Sequence, residues 1–286
     1  MYERHFGLTT RPFSKTPDPA FFFDGAGHGE ALARLELAVA DRELCLFTGE
    51  IGAGKTTVSR ALVDRLDDAH RVVLVVNPRL SAAQLIEFIA VRVGVERLPK
   101  GRVQRIDALT ARLFALHEAG VTTVLLIDEA HLLPSKGVFE ELRLLLNLQL
   151  DDAALIALLL IGQPELRARL GQRANAAFAE RIGLAYHLRA LEREETGAYV
   201  AHRLARAGRE ERLFTDDALD VVHASSGGIP RRIHTLCQGA LLEAYGRGAD
   251  VVDVTVVEDV VRDLSLHLGP AFFGARASVG ARSGAT

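Results

Sequence analysis

The sequence predicts an α/β fold, a parallel sheet with helices on both faces, followed by a small all-helical domain. Three observations carry this. Short apolar runs recur with turn residues at their ends, helix-period segments fill the gaps between them, and after Leu188 helical patterns follow one another without another strand-like run.

The apolar runs lie at residues 44–48, 72–77, 123–127, 155–161 and, more weakly, 184–188. Four are continuous and rich in Leu, Ile and Val, as strands covered on both faces must be. Between them stand helical segments at 55–66, at 82–93 with Ser81 and Gln84 as a capping box, and at 106–118 closed by Gly120. Such alternation gives parallel strands joined by helical crossovers. Beyond Leu188, helices are expected at 193–207, at 216–225 with Thr215 as cap, at 231–245 with Pro230 near the first turn, and last in a segment capped by Thr255 and Glu258. The domain plan is therefore an α/β domain over 1–190, including an N-terminal strap over 1–28, and a helical lid over 191–270. Residues 271–286 make a disordered tail, since from Gly274 on they lack periodicity and bulky apolar side chains.

Composition sets the outer bounds. With ~150 residues to a typical domain, 286 residues make about two. Hydrophobic residues at 49% and charged residues at 25% match ordinary globular chains and exclude whole-chain disorder, collagen and a coiled-coil rod. A net charge of -3 excludes a cationic surface over the whole molecule but leaves room for a local basic patch. Only four of the 34 cationic side chains are lysines (Lys15, Lys55, Lys100, Lys136), so arginine, the better bidentate phosphate ligand, supplies the rest. Cys45 in an apolar run and Cys237 in a helical pattern read as small core residues, not as a disulfide framework or zinc site. Residues 1–15 carry charges and a proline where a signal peptide would be apolar, and the longest apolar run, 153–162, is half the ~20 residues that cross a bilayer. A cytoplasmic protein is expected.

One motif carries chemistry. Gly49-Glu50-Ile51-Gly52-Ala53-Gly54-Lys55-Thr56 fits G-x-x-x-x-G-K-[ST] and stands between an apolar run and a helix-period segment, the context the motif requires. Its glycines allow a backbone whose N–H groups ring phosphate oxygens at the positive end of the following helix. Lys55 reaches the β- and γ-phosphates, the Thr56 hydroxyl ligates Mg2+, and Thr57 continues the binding loop into the helix. A second Mg2+ ligand on a neighbouring strand is required, and Val124-Leu125-Leu126-Ile127-Asp128-Glu129 ends an apolar strand in two carboxylates. Asp128 is the metal ligand; Glu129 is placed to polarise an attacking water, which argues for hydrolysis of ATP over passive binding.

With these residues in place, the chain resembles AAA+ ATPases, and within them the ExeA-like group, which is similar to the transposition ATPases of the TnsC, TniB and MuB kind. The likeness extends from Tyr2 to about Leu268. It rests on His5-Phe6-Gly7-Leu8 with Pro12-Phe13 and Pro17-Asp18-Pro19, on Ile127-Asp128-Glu129-Ala130-His131, and on Leu142-Arg143-Leu144-Leu145-Leu146-Asn147-Leu148. Ile161-Gly162-Gln163-Pro164-Glu165-Leu166 and Ser226-Gly227-Gly228-Ile229-Pro230-Arg231 complete it. The resemblance implies a P-loop core with a helical lid that oligomerises. Gln163 falls at the sensor 1 position, although it also reads as a cap of the helix begun by Pro164. Arg231 matches the sensor 2 arginine that reaches the nucleotide from the lid. In this family the arginine finger comes from the adjacent subunit; Arg181 matches best, with Arg173 and Arg189 competing. Phe13 and residues 21–23, all phenylalanine, would line the adenine side or else strap the core. His131 stands where much of the group has Gln, and the ten histidines show no metal spacing.

The partner is read from length and charge. ExeA-like proteins of secretion systems carry a membrane span and a peptidoglycan-binding domain after the ATPase. The short form here is closer to stand-alone ATPases that assemble on double-stranded DNA with ATP and recruit a transposase. A regulator of transposition is the first expectation, a secretion-assembly ATPase with a membrane partner the second, and a nucleotide-gated scaffold with little hydrolysis the third. Arg97, Lys100, Arg102 and Arg105, in a loop between two helices after the second strand, are the densest candidates for DNA phosphate contacts, which would be sequence-independent and salt-sensitive. The assembly is a ring or a helical oligomer.

Overall fold

The computed structural model describes residues 1–14, 18–134, 137–150 and 153–268, so the expected tail lies outside the described residues. In chain order the elements begin with α1 (Tyr2–His5), α2 (Ala26–Ala40), β1 (Leu44–Gly49), α3 (Lys55–Arg65), β2 (His70–Val75), α4 (Ala82–Val93), α5 (Arg102–Glu118) and β3 (Thr122–Ile127). They continue with α6 (Val138–Leu146), the short hairpin β4 (Gln149–Leu150) and β5 (Ala153–Ala154), β6 (Ile156–Gly162), α7 (Glu165–Leu170), α8 (Ala176–Ala179) and β7 (Ile182–Leu188). The last four are α9 (Arg193–Arg206), α10 (Asp216–Ser226), α11 (Pro230–Arg247) and α12 (Val254–Leu268). The backbone divides into two compact units, one of Ala26–Ile51 and Lys55–Leu188, the other of Met1–Gly25, Gly52–Gly54 and the chain from Arg189 on.

The first unit is the predicted α/β layer structure. Its five strands run parallel in the order β2-β3-β6-β1-β7. Every residue of β1 and β6 is buried, as continuous apolar runs require for strands flanked on both sides. Leu44, Leu46, Leu125, Ile127, Leu158 and Leu160 pack in one core with the apolar faces of α4, α5 and α6. The alternate residues Cys45, Phe47, Leu126 and Leu159 are equally buried, and α2 and α3 lie against β1. Burial pushes the Cys45 thiol up to about 12, so it behaves as a small apolar residue. The weak run at 184–188 is an edge strand, β7, whose burial alternates because one face is less covered.

Boundaries differ where local signals are weak. The expected run 72–77 is displaced: β2 stops at Val75, whose carbonyl accepts the Asp128 N–H (3.0 Å), and Val76 is 64% exposed. Helix α5 starts at Arg102, four residues before expectation. Gly101 is its N-cap without a capping side chain, so nothing in the sequence marks the start. Helix α4 opens on the expected capping box. In α12 the cap is Asp253, whose carboxylate accepts the Val256 N–H (3.0 Å) and the Thr255 hydroxyl (2.8 Å), instead of Thr255.

The second unit is helical, and it holds the N-terminal strap that the sequence reading gave to the α/β domain. Phe6, Phe13 and Phe21 are buried in one cluster with Tyr199, Leu204, Phe214, Cys237 and Leu241. The physical reason is that most of the strap lacks a strand or helix partner for its carbonyls, and α9 with the turn after it supplies donors. Arg203 Nε donates to Pro12 O (2.6 Å), Arg206 Nε to Ala20 O (2.7 Å) and Arg209 Nη1 to Phe6 O (2.8 Å). His234 joins them: Nδ1 lies 3.1 Å from Ser14 O and Nε2 2.6 Å from the Tyr199 hydroxyl, and burial pushes its pKa down to about 3.

Gly228 locks the loop before α11. It takes φ +69°, its carbonyl accepts the Leu191 N–H (3.0 Å), and a Cβ there would meet Leu191 O at 2.0 Å. Gly228→Ala is expected to destabilise the helical unit by more than about 2 kcal/mol. Gly227→Ala, at φ +61° with no atom closer than 3.9 Å, should cost about 1 kcal/mol from backbone conformation alone. Urea unfolding of the two variants checks this, and equal midpoints would refute the role given to the Leu191 contact.

Candidate nucleotide site

The site begins where β1 ends. Buried β1 delivers the chain to Gly49, residues 50–54 turn, and α3 starts at Lys55. Gly52 and Gly54 take φ of +83° and +106°, conformations that L side chains resist. Lys55 is buried, and its ammonium donates to Gly49 O (2.7 Å) and Glu50 O (2.9 Å). A cation held inside the loop at a helix N-terminus suits an anionic ligand such as a chain of phosphates. Glu50 and Ile51 are exposed on the turn, Ala53 is buried beneath it, and Thr57 lies half-buried on α3.

The end of β3 supplies the second half. Asp128 is buried, its Oδ2 accepts the Thr56 hydroxyl at 3.3 Å, and its Oδ1 accepts the Glu129 backbone N–H at 2.8 Å. Burial raises its pKa and the adjacent Glu129 charge adds to this, against hydrogen bonds from Glu129 N–H and Thr56 and the Lys55 charge. A hydroxyl beside a carboxylate is the hard-oxygen pair that Mg2+ takes, so Thr56 and Asp128 fit the metal the motif implies. Mg2+ bound there would neutralise phosphate charge.

Glu129 has φ +52°, the left-handed region in which a non-glycine residue is held only by its surroundings. Its carboxylate is 40% exposed, while the Gln163 side-chain nitrogen lies 3.4 Å from its Oε2 and His131 Nδ1 3.3 Å from the same oxygen. The Gln163 amide is therefore directed at Glu129. Helix α7 starts after Pro164 without a side-chain cap, which removes the capping alternative. His131 and Arg169 are the residues that sequence reasoning missed. Arg169 donates to His131 O and, at 2.5 Å, to Leu133 O, and its guanidinium lies 5.4 Å over the Phe139 ring. The signal for His131 was its place inside the acidic box; nothing marked Arg169.

Arg231 is exposed in the first turn of α11, and its backbone N–H donates to Gly52 O (3.2 Å). Arg181 is exposed and donates to the neutral Asn147 amide oxygen (2.6 Å), whereas Arg189 grips both Glu195 carboxylate oxygens (2.6 and 2.9 Å); Arg173 is exposed in a turn before α8. Of the four cations expected in one loop, Arg97 and Lys100 are in it and exposed. Arg102 and Arg105 are instead in the first turn of α5, joined to carboxylates. Arg102 Nη2 meets both oxygens of buried Glu141 (3.1 and 2.8 Å), and Arg105 meets Glu87 (3.2 Å). Phe13 and Phe21 belong to the helical core, and Phe23 packs 5.4 Å from the Tyr199 ring.

Residues 39–170 match the AAA domain family. The ORC2 protein of Aeropyrum pernix superposes with a TM-score of 0.64 at 18% identity, over 88% of this chain and 71% of that one. The fold is that of an AAA+ P-loop NTPase. Cdc6p of Pyrobaculum aerophilum shares this AAA+ fold (TM-score 0.61, 18% identity, 87% of this chain and 68% of that one). So does a RuvB variant of Thermotoga maritima (0.55, 20%, 85% and 71%). In sequence, the chain is 42% identical over 255 residues to General secretion pathway protein A of Aeromonas hydrophila, covering 87% of this chain and 46% of that protein. The chain spans about half the length of that curated relative. Among the described residues, no helix is long and apolar enough to cross a membrane.

Burying Asp128 costs the unliganded fold. Its folded pKa is raised, so the protonated form is favoured in the folded state; stability falls as pH rises from the unfolded pKa through the folded one, and the loss is complete above both. Asp128→Asn is therefore expected to raise the melting temperature at pH 7, by a stabilisation on the order of 1 kcal/mol. It should also remove any further stabilisation by Mg2+ with ATP, if Asp128 is the metal ligand the motif implies. A melting series with and without both ligands checks both signs.

Proposed function

We propose that the chain binds ATP with Mg2+ on the Gly49–Thr56 loop and hydrolyses it to ADP and phosphate. In this reading Lys55 holds the β- and γ-phosphates, Thr56 and Asp128 hold the metal, and Glu129 takes the proton of the attacking water while Gln163 orients its carboxylate. Copies assemble into a ring or helical oligomer, and an arginine of the neighbouring copy completes the site. Arg181 suits that role better than Arg189, because Arg189 is committed to a carboxylate and Arg181 to a neutral amide. Arg231 is the residue that reports nucleotide from the helical unit. The observation that carries hydrolysis is Glu129, a carboxylate placed next to the metal-ligand residue in a backbone conformation that only its surroundings maintain.

The process served is that of the General secretion pathway protein A type, in which ATP turnover acts on a membrane secretion partner. The 42% identity over 255 residues supports this and reverses the order in which length alone had ranked the two processes. Regulation of transposition, with double-stranded DNA and a transposase as partners, is the second reading. It leans on Arg97 and Lys100 and on a neighbour of the same fold, ORC1 of Aeropyrum pernix in complex with DNA. Arg102 and Arg105 weaken it, since their charges already face Glu141 and Glu87.

Phosphate release by the purified protein, with Mg2+ or with a chelator, tests the reading. Glu129→Gln is expected to lower kcat by at least about 100-fold with ATP binding retained, and Lys55→Ala to abolish binding. Unchanged turnover in Glu129→Gln would sink the catalytic assignment. Turnover indifferent to double-stranded DNA across a salt series favours secretion, and stimulation that fades with salt favours transposition.

A further inference from the structure

The carboxylate of Glu129 shares its surroundings with one imidazole nitrogen that faces two neighbours. His131 Nδ1 lies 3.3 Å from Glu129 Oε2 and 3.4 Å from the backbone N of Gln163. It cannot serve both in one protonation form. Carrying the proton, Nδ1 donates to the carboxylate; bare, it accepts the Gln163 N–H. The ring is 11% exposed, and the turn that bears it is pinned by Arg169, which donates to the carbonyls of His131 and Leu133. The position of the ring is fixed by these contacts, and the position of its proton is free to change.

We propose that His131 is a positioning residue for Glu129: its Nδ1–H holds the carboxylate at Oε2, and the other tautomer releases it while Nδ1 takes the Gln163 N–H. The inference rests on the reading of Glu129 as the residue that acts on water. A hydrogen bond to an ionised carboxylate is stronger than one from a neutral amide, so the Nδ1–H form is the resting one. The exchange needs no net charge change on the ring; a proton leaves Nδ1 and one arrives at Nε2. Glu129 is thereby held by two side chains, His131 and Gln163, in one form and by Gln163 alone in the other. The Glu129 oxygen can then turn toward a water without moving the backbone that sets φ +52°.

Two measurements on the full chain decide it. Long-range 1H–15N spectra of the imidazole nitrogens, with His131 assigned by its loss in His131→Gln, read the tautomer directly. The proton is expected on Nδ1 in the wild type and on Nε2 in Glu129→Ala; the same tautomer in both overturns the proposal, whether or not the protein hydrolyses ATP. In turnover, His131→Ala should lower kcat about tenfold with KM and the affinity for a fluorescent ATP analogue within about twofold. His131→Gln, whose amide N–H can replace Nδ1–H, should return kcat to within about threefold of wild type. An Ala variant as fast as wild type, or a Gln variant no better than Ala, overturns the proposal. A Glu129→Gln protein as active as wild type overturns the hydrolytic reading itself, and the spectra still decide the contact.

Discussion

The site depends on the parallel register of three buried strands. β1 and β3 both pair with β6, and the pairing brings Thr48 level with Gly162 and Ile127 level with Leu160. The chain therefore leaves all three strands at one edge of the sheet, with Gly49, Asp128 and Gln163 as the residues at or just beyond the strand ends. A slip of one residue would turn every apolar side chain of β1 or β6 from one helical layer to the other, and both layers are full. Apolar packing fixes the register, and the register fixes where phosphate-binding backbone, carboxylates and polar amide meet.

What is built at that edge opposes stability. An ammonium and a carboxylate are buried at Lys55 and Asp128, and a non-glycine residue occupies the left-handed region at Glu129. Each costs free energy in the unliganded fold. The neutral or relaxed replacements would be tolerated by the surrounding core, so these residues make sense only through a ligand that uses them. Gly49, Gly52 and Gly54 belong to the same logic, since Gly52 and Gly54 take positive φ and a Cβ on Gly49 would meet Leu188 O at 2.9 Å.

Legibility followed the strength of local signals. Helix α4 was readable to the residue because its capping box is written in Ser81 and Gln84, and β1, β3 and β6 to within one residue at each end because burial on both faces demands an unbroken apolar run. α5 was misplaced because its N-cap, Gly101, uses no side chain, which put Arg102 and Arg105 in a loop they do not occupy. Lys55 and Thr56 could be named as candidates from the spacing of one motif and Asp128 and Glu129 from their place at the end of an apolar run, and the fold brings Thr56 and Asp128 to 3.3 Å of each other. The contacts of Gln163 and Arg169 with residues 129–133 join positions 32 to 38 apart, and no local pattern encodes which of two neighbours an imidazole nitrogen faces. The strap was assigned to the wrong unit for the same reason: its phenylalanines announce burial but not the partner.

That strap bears on the order in which the molecule is made. Pro12 O waits for Arg203, a partner 191 positions later, and the Tyr2 hydroxyl for Gln238, 236 positions later. During synthesis the α/β unit from Ala26 to Leu188 is complete before most of the helical unit has left the ribosome. The strap is thus placed only after partners that lie far downstream in the sequence, and Phe6, Phe13 and Phe21 find their buried cluster when the chain from Arg189 on arrives. Contacts of such sequence separation form late, so the strap's phenylalanines form an adhesive apolar segment until the helices they pack on have been made.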